Sequence, residues 1–306
     1  MKSFMPTIYY NTFGSHPAAC KVKPGEVIHT YLVDAHGFDK DGKQVSQSPN
    51  PQVGPFYVEG AEPGDRLVVK LLNITLNRRD GWSYDMLRPH LVEAAFCQHL
   101  PERTQNFWEI DFEHNKVILK NPPKPLKRVE VPIRPVLGCL GVAPERGEAI
   151  TTYTCGNFGG NMDYYGMVEG MTIYLPVFVP GGLLFMGDGH AVQSQGEVTG
   201  AGLETSCEVT FEVGLVKNNP VHIRWLRGED KTYLYTIGNA RPLDLAVQCA
   251  TTEMVRWLME DYGLSLEAAN VLMSQSVEYE MGNLVSSNFT AVCKLSKSII
   301  RDALAD

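Results

Sequence analysis

The chain has 306 residues, 20% of them charged, with a net charge of −8 and no long run of either sign. That length gives room for one large β body, or two smaller ones, around a real hydrophobic core. The acidic balance argues against a nucleic-acid backbone as partner, because phosphate binding needs clustered Lys and Arg.

The N-terminus, "MKSFMPTIYYNTFGSHP", has no continuous apolar core, so no signal peptide is expected. No stretch reaches the roughly 18 to 20 apolar residues that span a bilayer, so no membrane partner is expected either. Three Pro-Gly pairs, in "KPGEV" from Lys23, "EPGDRL" from Glu62 and "VPGGLL" from Val179, suit type II turns that each feed a strand. Their recurrence points to a duplicated sandwich or barrel. "RLVVKLLNITL" and "MTIYLPVFV" read as apolar strands covered on both faces, and the basic, proline-rich 120–135 segment as an extended surface connection. "CEVTFEVGLV" alternates, with Val209, Phe211, Val213 and Leu215 on one face. "VHIRWLRGEDKTYLYTIG" reads as a hairpin in which Val221, Ile223 and Trp225 face Tyr233, Tyr235 and Ile237 across a turn at 228–230.

The period changes near Arg241. Leu243, Ala246, Val247, Ala250, Met254, Trp257 and Leu258 recur at helical spacing up to a stop at Gly263, and Ser265 caps a second helix. "FTAVCKLSK" returns to strand alternation. The fold class expected is therefore mainly β: a β-sandwich or barrel-like catalytic body over 1–240, with a C-terminal α/β appendage over 241–306 packed on it. Seven scattered cysteines form no C-x-x-C pair, which suits a reducing cytoplasmic setting.

Polar groups gather in three Gly-rich stretches. In "LVDAHGFDKDG", Asp34 and His36 stand two apart at a strand end and so share a face; "DKDG" is a plain turn without the spacing of an EF-hand. "TCGNFGGNMDYYG" holds Asn161 and Asp163, lacks the ending of a phosphate-binding loop, and is open to a plain structural reading. "FMGDGHAVQSQGEVTGAGLE" repeats the Asp-x-His spacing at Asp188 and His190 and adds Gln193, Glu197 and Glu204. Imidazole and carboxylates on a glycine-rich turn suit Zn²⁺ or a similar divalent metal with an open position. Cys155 beside the second loop could act as a nucleophile, although no partner that lowers its pKa is evident. His90 and His99 read as surface residues.

"NPQVGPFYVEGAEPGDRL", "GCLGVAPERGE", "GGNMD", "LPVFVPGGLLFMGDGHAVQSQGEV" and the Glu204 that follows resemble the acetamidase/formamidase family in order and spacing, as does the helical end. The resemblance implies a metal-assisted amidohydrolase that cleaves small aliphatic amides to carboxylate and ammonia, on a β-sandwich body and as a homo-oligomer. Carried over residue by residue, it implies Asp34, Asn161, Asp163, Asp188, His190, Gln193 and Glu197, with Glu59 and Glu204 as second candidates. In roles, Asp34, Asp188, His190 and Glu204 are the metal set; Asp163 is grouped with the catalytic residues Glu197, Glu59 and Asn161, and is also a further metal candidate. Glu197 or Glu59 is the proton carrier, and Asn161 with the N–H groups of the 156–160 glycines serves the oxyanion. The segments "RPHLVEAAF" and "CQHLPERTQNFWEIDFEHNK" depart from the family pattern and bear on the pocket. Two other classes stay open: a scaffold holding Ca²⁺ through oxygen ligands, and a metal-free amidase using Cys155.

Overall fold

Each of the three Pro-Gly pairs makes its turn. The N–H groups of Glu26, Asp65 and Gly182 donate to the carbonyls three residues earlier, at 3.0, 3.0 and 2.9 Å, and Gly25, Gly64 and Gly181 have φ between +79° and +94°. The first two lead into the strands Glu26–Leu32 and Arg66–Leu76, and the third into Leu184–His190. The computed structural model, which describes residues 1–217 and 223–305, builds two main sheets from these strands.

The larger sheet has nine strands. In spatial order they are Lys2–Phe4, Glu26–Leu32, Cys207–Val216, Arg66–Leu76, Thr172–Pro176, Leu226–Glu229, Tyr233–Ala240, Phe289–Ser296 and Val277–Met281. The smaller has six: Cys155–Gly156, Gly159–Asn161, Val136–Val142, Leu184–His190, Val53–Val58 and Cys20–Val22. One core joins them, with Phe56 of the smaller sheet against Phe4 and Phe211 of the larger at ring separations of 5.2 and 5.3 Å. Val209, Phe211 and Val213 point into that core as their alternation predicts.

Arg66–Leu76 departs from expectation. Lys70, Leu72, Asn73 and Thr75 are exposed, so this strand is wet on one face rather than covered on both. Leu67, Val69, Leu71, Ile74 and Leu76 fill the inter-sheet core, while Lys70 on the outer side pairs with Glu212 at 2.7 Å. The hairpin also shifts: Leu226 pairs with Ile237 and Gly228 with Tyr235. The turn lies at 230–232, because the Asp230 carboxylate accepts the N–H groups of Thr232 and Tyr233 at 2.6 and 2.8 Å. Ile223 and Trp225 precede the strand, and Val221 lies outside the described residues. Part of the 120–135 segment is a strand, Glu130–Pro132, pairing with Lys116–Leu119 at the edge of a four-stranded sheet.

Helix α1 (Leu243–Asp261) buries Ala246, Ala250, Met254, Trp257 and Leu258. It lies close on the Tyr233–Ala240 strand because Gly238 carries no side chain; a Cβ there would sit 2.1 Å from the Ala246 carbonyl oxygen. The fully buried Arg227 ties sheet to helix through Glu253 at 2.7 Å and Glu260 at 2.6 Å. Ser265 caps α2 (Leu266–Ser274), its hydroxyl accepting the Ala268 N–H at 3.1 Å. Strand Phe289–Ser296 runs directly into α3 (Lys297–Leu304), which sequence reasoning missed because alternation continues to the boundary without a turn residue. No helix among the described residues is long and apolar enough to cross a membrane.

Candidate active site

The Leu184–His190 strand lies inside the smaller sheet, hydrogen-bonded on one side to Val136–Val142 and on the other to Val53–Val58. Its end carries Asp188 and His190. Asp163 arrives from the chain just beyond Gly159–Asn161, where the N–H groups of Met162 and Asp163 both donate to the Gly138 carbonyl, at 3.2 and 3.0 Å. One ligand atom from each of Asp163, Asp188 and His190 lies within 4.8 Å of the others. Gly138 is the floor beneath them. A Cβ there would be 2.6 Å from Asp163 Oδ1 and 2.7 Å from both Asp188 Oδ2 and His190 Cε1, so only glycine leaves the space.

His190 Nε2 stands 3.1 Å from Glu204 Oε1 and 3.5 Å from Asp188 Oδ1. Nevertheless His190 Nδ1, Asp163 Oδ1 and Glu204 Oε2 are buried without a hydrogen-bond partner, and Nε2 meets only carboxylate oxygens. Buried polar atoms left unpaired are expensive. One nitrogen and several carboxylate oxygens converging with open lone pairs form a donor set that fits a divalent cation.

Burial of so many acids in one place moves their protonation. It pushes the Glu197 carboxyl up to about 8 and that of Glu204 to about 7. Asp163 is raised well above the carboxylate range by burial and then by the charges of Glu197 and Asp188. At Asp188 the same burial is outweighed by His190, which holds the carboxyl below its usual value. At His190 burial is outweighed by Glu204 and Asp188, so the imidazole is raised well above its ordinary value. The backbone is under tension as well: Asn50, Asp163, Asp188 and Glu197 have φ of +39°, +44°, +64° and +48°. Left-handed conformations in non-glycine residues concentrate at functional sites.

The cluster opens into a cleft of about 440 Å³. Asp188, Glu197 and Glu204 reach it from below, and Trp82, Tyr84 and Tyr153 wall it. His36 stacks on Trp82 with ring centres 4.0 Å apart and also faces the cleft.

Five of the nine candidate residues meet at the cluster: Asp163, Asp188, His190, Glu197 and Glu204. Asn161 is beside them, donating from Nδ2 to Asp163 while its own oxygen accepts from Asn50 at 2.5 Å. Gln193 is buried, with neither amide atom hydrogen-bonded. Asp34 stands apart. Its carboxylate accepts from Arg78 at 2.9 Å, from Trp82 Nε1 at 3.3 Å and from the N–H groups of His36 and Phe38 at 3.0 Å, so it organises a turn. Glu59 is exposed in the turn after Val53–Val58 and does not line the cleft. The 156–160 glycines bring Gly159–Asn161 onto Val136–Val142, where a Cβ at Gly159 would be 2.3 Å from the Leu140 carbonyl oxygen. Cys155 is buried, which pushes its thiol up to about 12, and it lies outside the cleft. That environment is the reverse of what a thiolate nucleophile needs.

Asn50, Gln52, Asn283 and Gly138 were not singled out by sequence reasoning. Gln52 donates to Asn50 Oδ1 at 2.9 Å, and Asn283 donates to the Asn161 carbonyl. Asn50, Gln52 and Gly138 lie in two of the quoted family blocks, and that is the signal that could have found them.

A family model described as "Acetamidase/Formamidase family" matches residues 15–151 and 145–300. The chain belongs to the acetamidase/formamidase family. Among solved structures in that family, it is similar to an acetamidase from Bacillus halodurans, with TM-score 0.83 and 27% identity over 99% of this chain and 100% of that one. It is also similar to a predicted acetamidase/formamidase from Thermoanaerobacter tengcongensis, with TM-score 0.84 and 28% identity over 99% and 97%. A formamidase from Methylophilus methylotrophus is 26% identical, in a match that covers 66% of this chain and 62% of that protein. The alignments take in between 51% and 64% of the length of the curated relatives.

Proposed function

We propose that the protein hydrolyses the C–N bond of small amides to a carboxylate and ammonia, with a divalent cation held by Asp163, Asp188 and His190. The observation that carries this reading is the set of buried, unpaired ligand atoms converging over Gly138 at the base of the cleft. A nitrogen donor among them favours Zn²⁺ over Ca²⁺, which takes an oxygen shell. Bound there, such a cation supplies Lewis acidity toward the amide carbonyl and toward water.

The chain's own residues do the rest. Asn161 Nδ2 orients the Asp163 carboxylate, and Asn50, itself held by Gln52, in turn holds Asn161. Glu204 lies 3.1 Å from His190 Nε2 and fixes that ring. Glu197 is the proton carrier. Its carboxyl titrates at about 8, close to neutrality, and it lines the cleft. It takes a proton from water at a carboxylate oxygen and delivers it to the amide nitrogen, since ammonia leaves poorly until protonated. The aromatic wall of Trp82, Tyr84 and Tyr153 limits water around the carbonyl. The seven unpaired cysteines suit a cytoplasmic setting, and a homo-oligomer is part of the same proposal.

The test is ammonia release from formamide, acetamide and propionamide, before and after stripping with chelator, alongside elemental analysis. Turnover lost on stripping and restored by Zn²⁺ is the expected result. Undiminished turnover by fully stripped protein overturns the metal's part, and no turnover of any amide overturns the reaction.

A further inference from the structure

The cleft has a second chemical character at its mouth. The segments 88–96 and 97–116 depart from the family pattern in sequence, and they place two arginines, Arg88 and Arg103, on the cleft lining. Arg88 is anchored by its backbone, the N–H donating to the Val198 carbonyl at 2.9 Å, while its side-chain Nε is buried with no hydrogen-bond partner. Arg103 is exposed at the rim. It lies 3.3 Å from the Tyr84 ring centre, and its Nη2 donates weakly to the Thr199 and Gly200 carbonyls at 3.4 and 3.3 Å.

The two guanidinium groups converge. A Cβ at Gly200 would sit 3.5 Å from both Arg88 Nε and Arg103 Nη2. Among the described residues, the arginines paired with carboxylates are Arg78, Arg128, Arg146, Arg227, Arg256 and Arg301, and neither of these two is in that set. So the cleft is bipolar, with carboxyl groups at its base and two cations without carboxylate partners at its mouth.

That arrangement is more than formamide or acetamide uses. A cleft of about 440 Å³ is in the range that encloses a molecule many times the size of either, and neither carries an anionic group for a pair of guanidinium ions. We infer that the substrate class is a small amide whose acyl chain also carries a carboxylate, the carboxylate received by Arg88 and Arg103 and the amide by the acidic base of the cleft. This rests on reading the site as an amidase. A carboxylate matches the planar donors of arginine, so the two arginines hold the anionic end at the mouth and leave the amide end to the base of the cleft. In the reaction, water oxygen bonds to the carbonyl carbon, the C–N bond breaks, nitrogen leaves as ammonia with one proton from that water, and the other proton ionises from the new acid. The product is a dicarboxylate, and nothing is oxidised or reduced.

The experiment compares the monoamide of succinic acid with butyramide, a neutral amide of similar length. The quantity read is the ratio of their kcat/KM values in the wild type, in Arg88→Met and in Arg103→Met. A ratio of at least about tenfold in favour of the anionic amide is expected, falling by about tenfold in each variant as a charged hydrogen bond is lost. Structural damage lowers both rates and leaves the ratio standing. Calorimetric titration with succinate, the product, gives a readout independent of turnover: binding by the wild type, weakened in both variants, and not matched by sulfate. A wild-type ratio near one, a ratio unmoved by both substitutions, or sulfate binding as well as succinate overturns the inference. If no amide is turned over, the amidase reading fails on its own while the succinate titration still decides whether the arginines receive a carboxylate.

Discussion

A single methyl group at position 138 would press on three side chains at once, because a Cβ there meets Asp163, Asp188 and His190 within 2.7 Å. Gly138→Ala is therefore expected to fold, as circular dichroism will show, yet to lose most of its bound metal by elemental analysis. His190→Ala removes the only nitrogen donor of the triad and should abolish both ammonia release and metal retention; full activity in that variant would exclude the metal assignment. At this scale legibility followed distance along the chain. Asp188, His190, Glu197 and Glu204 fall within one glycine-rich stretch, so their types and spacing could be read together. Asp34 carries the same Asp-x-His spacing, but Arg78, 44 positions away, claims its carboxylate. Gly138 and Asn50 matter through approach and hydrogen bonding across strands, and those depend on sheet register, which residue type does not reveal.

Among the elements, the Pro-Gly turns and the helices α1 and α2 were legible, whereas α3, the hairpin turn and strand coverage were not. The Pro-Gly turns and the Ser265 cap are local chemistry, whereas the wet face of Arg66–Leu76 depends on what the rest of the chain leaves uncovered. Ser265→Ala should lower stability by about 1 kcal/mol in urea unfolding, the usual worth of an N-cap hydroxyl. Gly238→Ala acts through packing instead. Its Cβ would come within 2.1 Å of the Ala246 carbonyl oxygen and 2.7 Å of the Ala250 nitrogen, so α1 must move off the sheet. A loss of about 1–3 kcal/mol is expected by the same measurement, in line with overpacking elsewhere.

Across the whole molecule, the centre draws on separate parts of the smaller sheet and the loops that follow it, so its ionisation is coupled to global stability. Glu197 and Glu204 titrate at about 8 and about 7 in the folded chain, against an ordinary value of 4.5. Raised acids mean that the folded state holds more protons than the unfolded one between those limits. Their contribution is thus complete below pH about 4.5 and is lost as pH rises through about 7 to 8. Chelator-stripped protein should show a melting temperature that falls across that window, and metal should flatten the slope by giving the deprotonated oxygens a partner. A melting temperature independent of pH in stripped protein would contradict this. The two-layer β architecture was legible in the alternating strands; the pairing of sequence-distant strands such as Cys207–Val216 with Glu26–Leu32 was not, since many registers satisfy the same alternation.

The left-handed backbone at Asp163, Asp188 and Glu197 bears on how this protein can change over generations. Each of these positions would relax if it became glycine, shedding both backbone tension and a buried charge. Stabilising replacements are therefore concentrated among the residues proposed to hold the metal and carry the proton. A library screened only for survival on heating would drift toward inert sandwiches, and descendants that keep these three acids testify to selection for turnover.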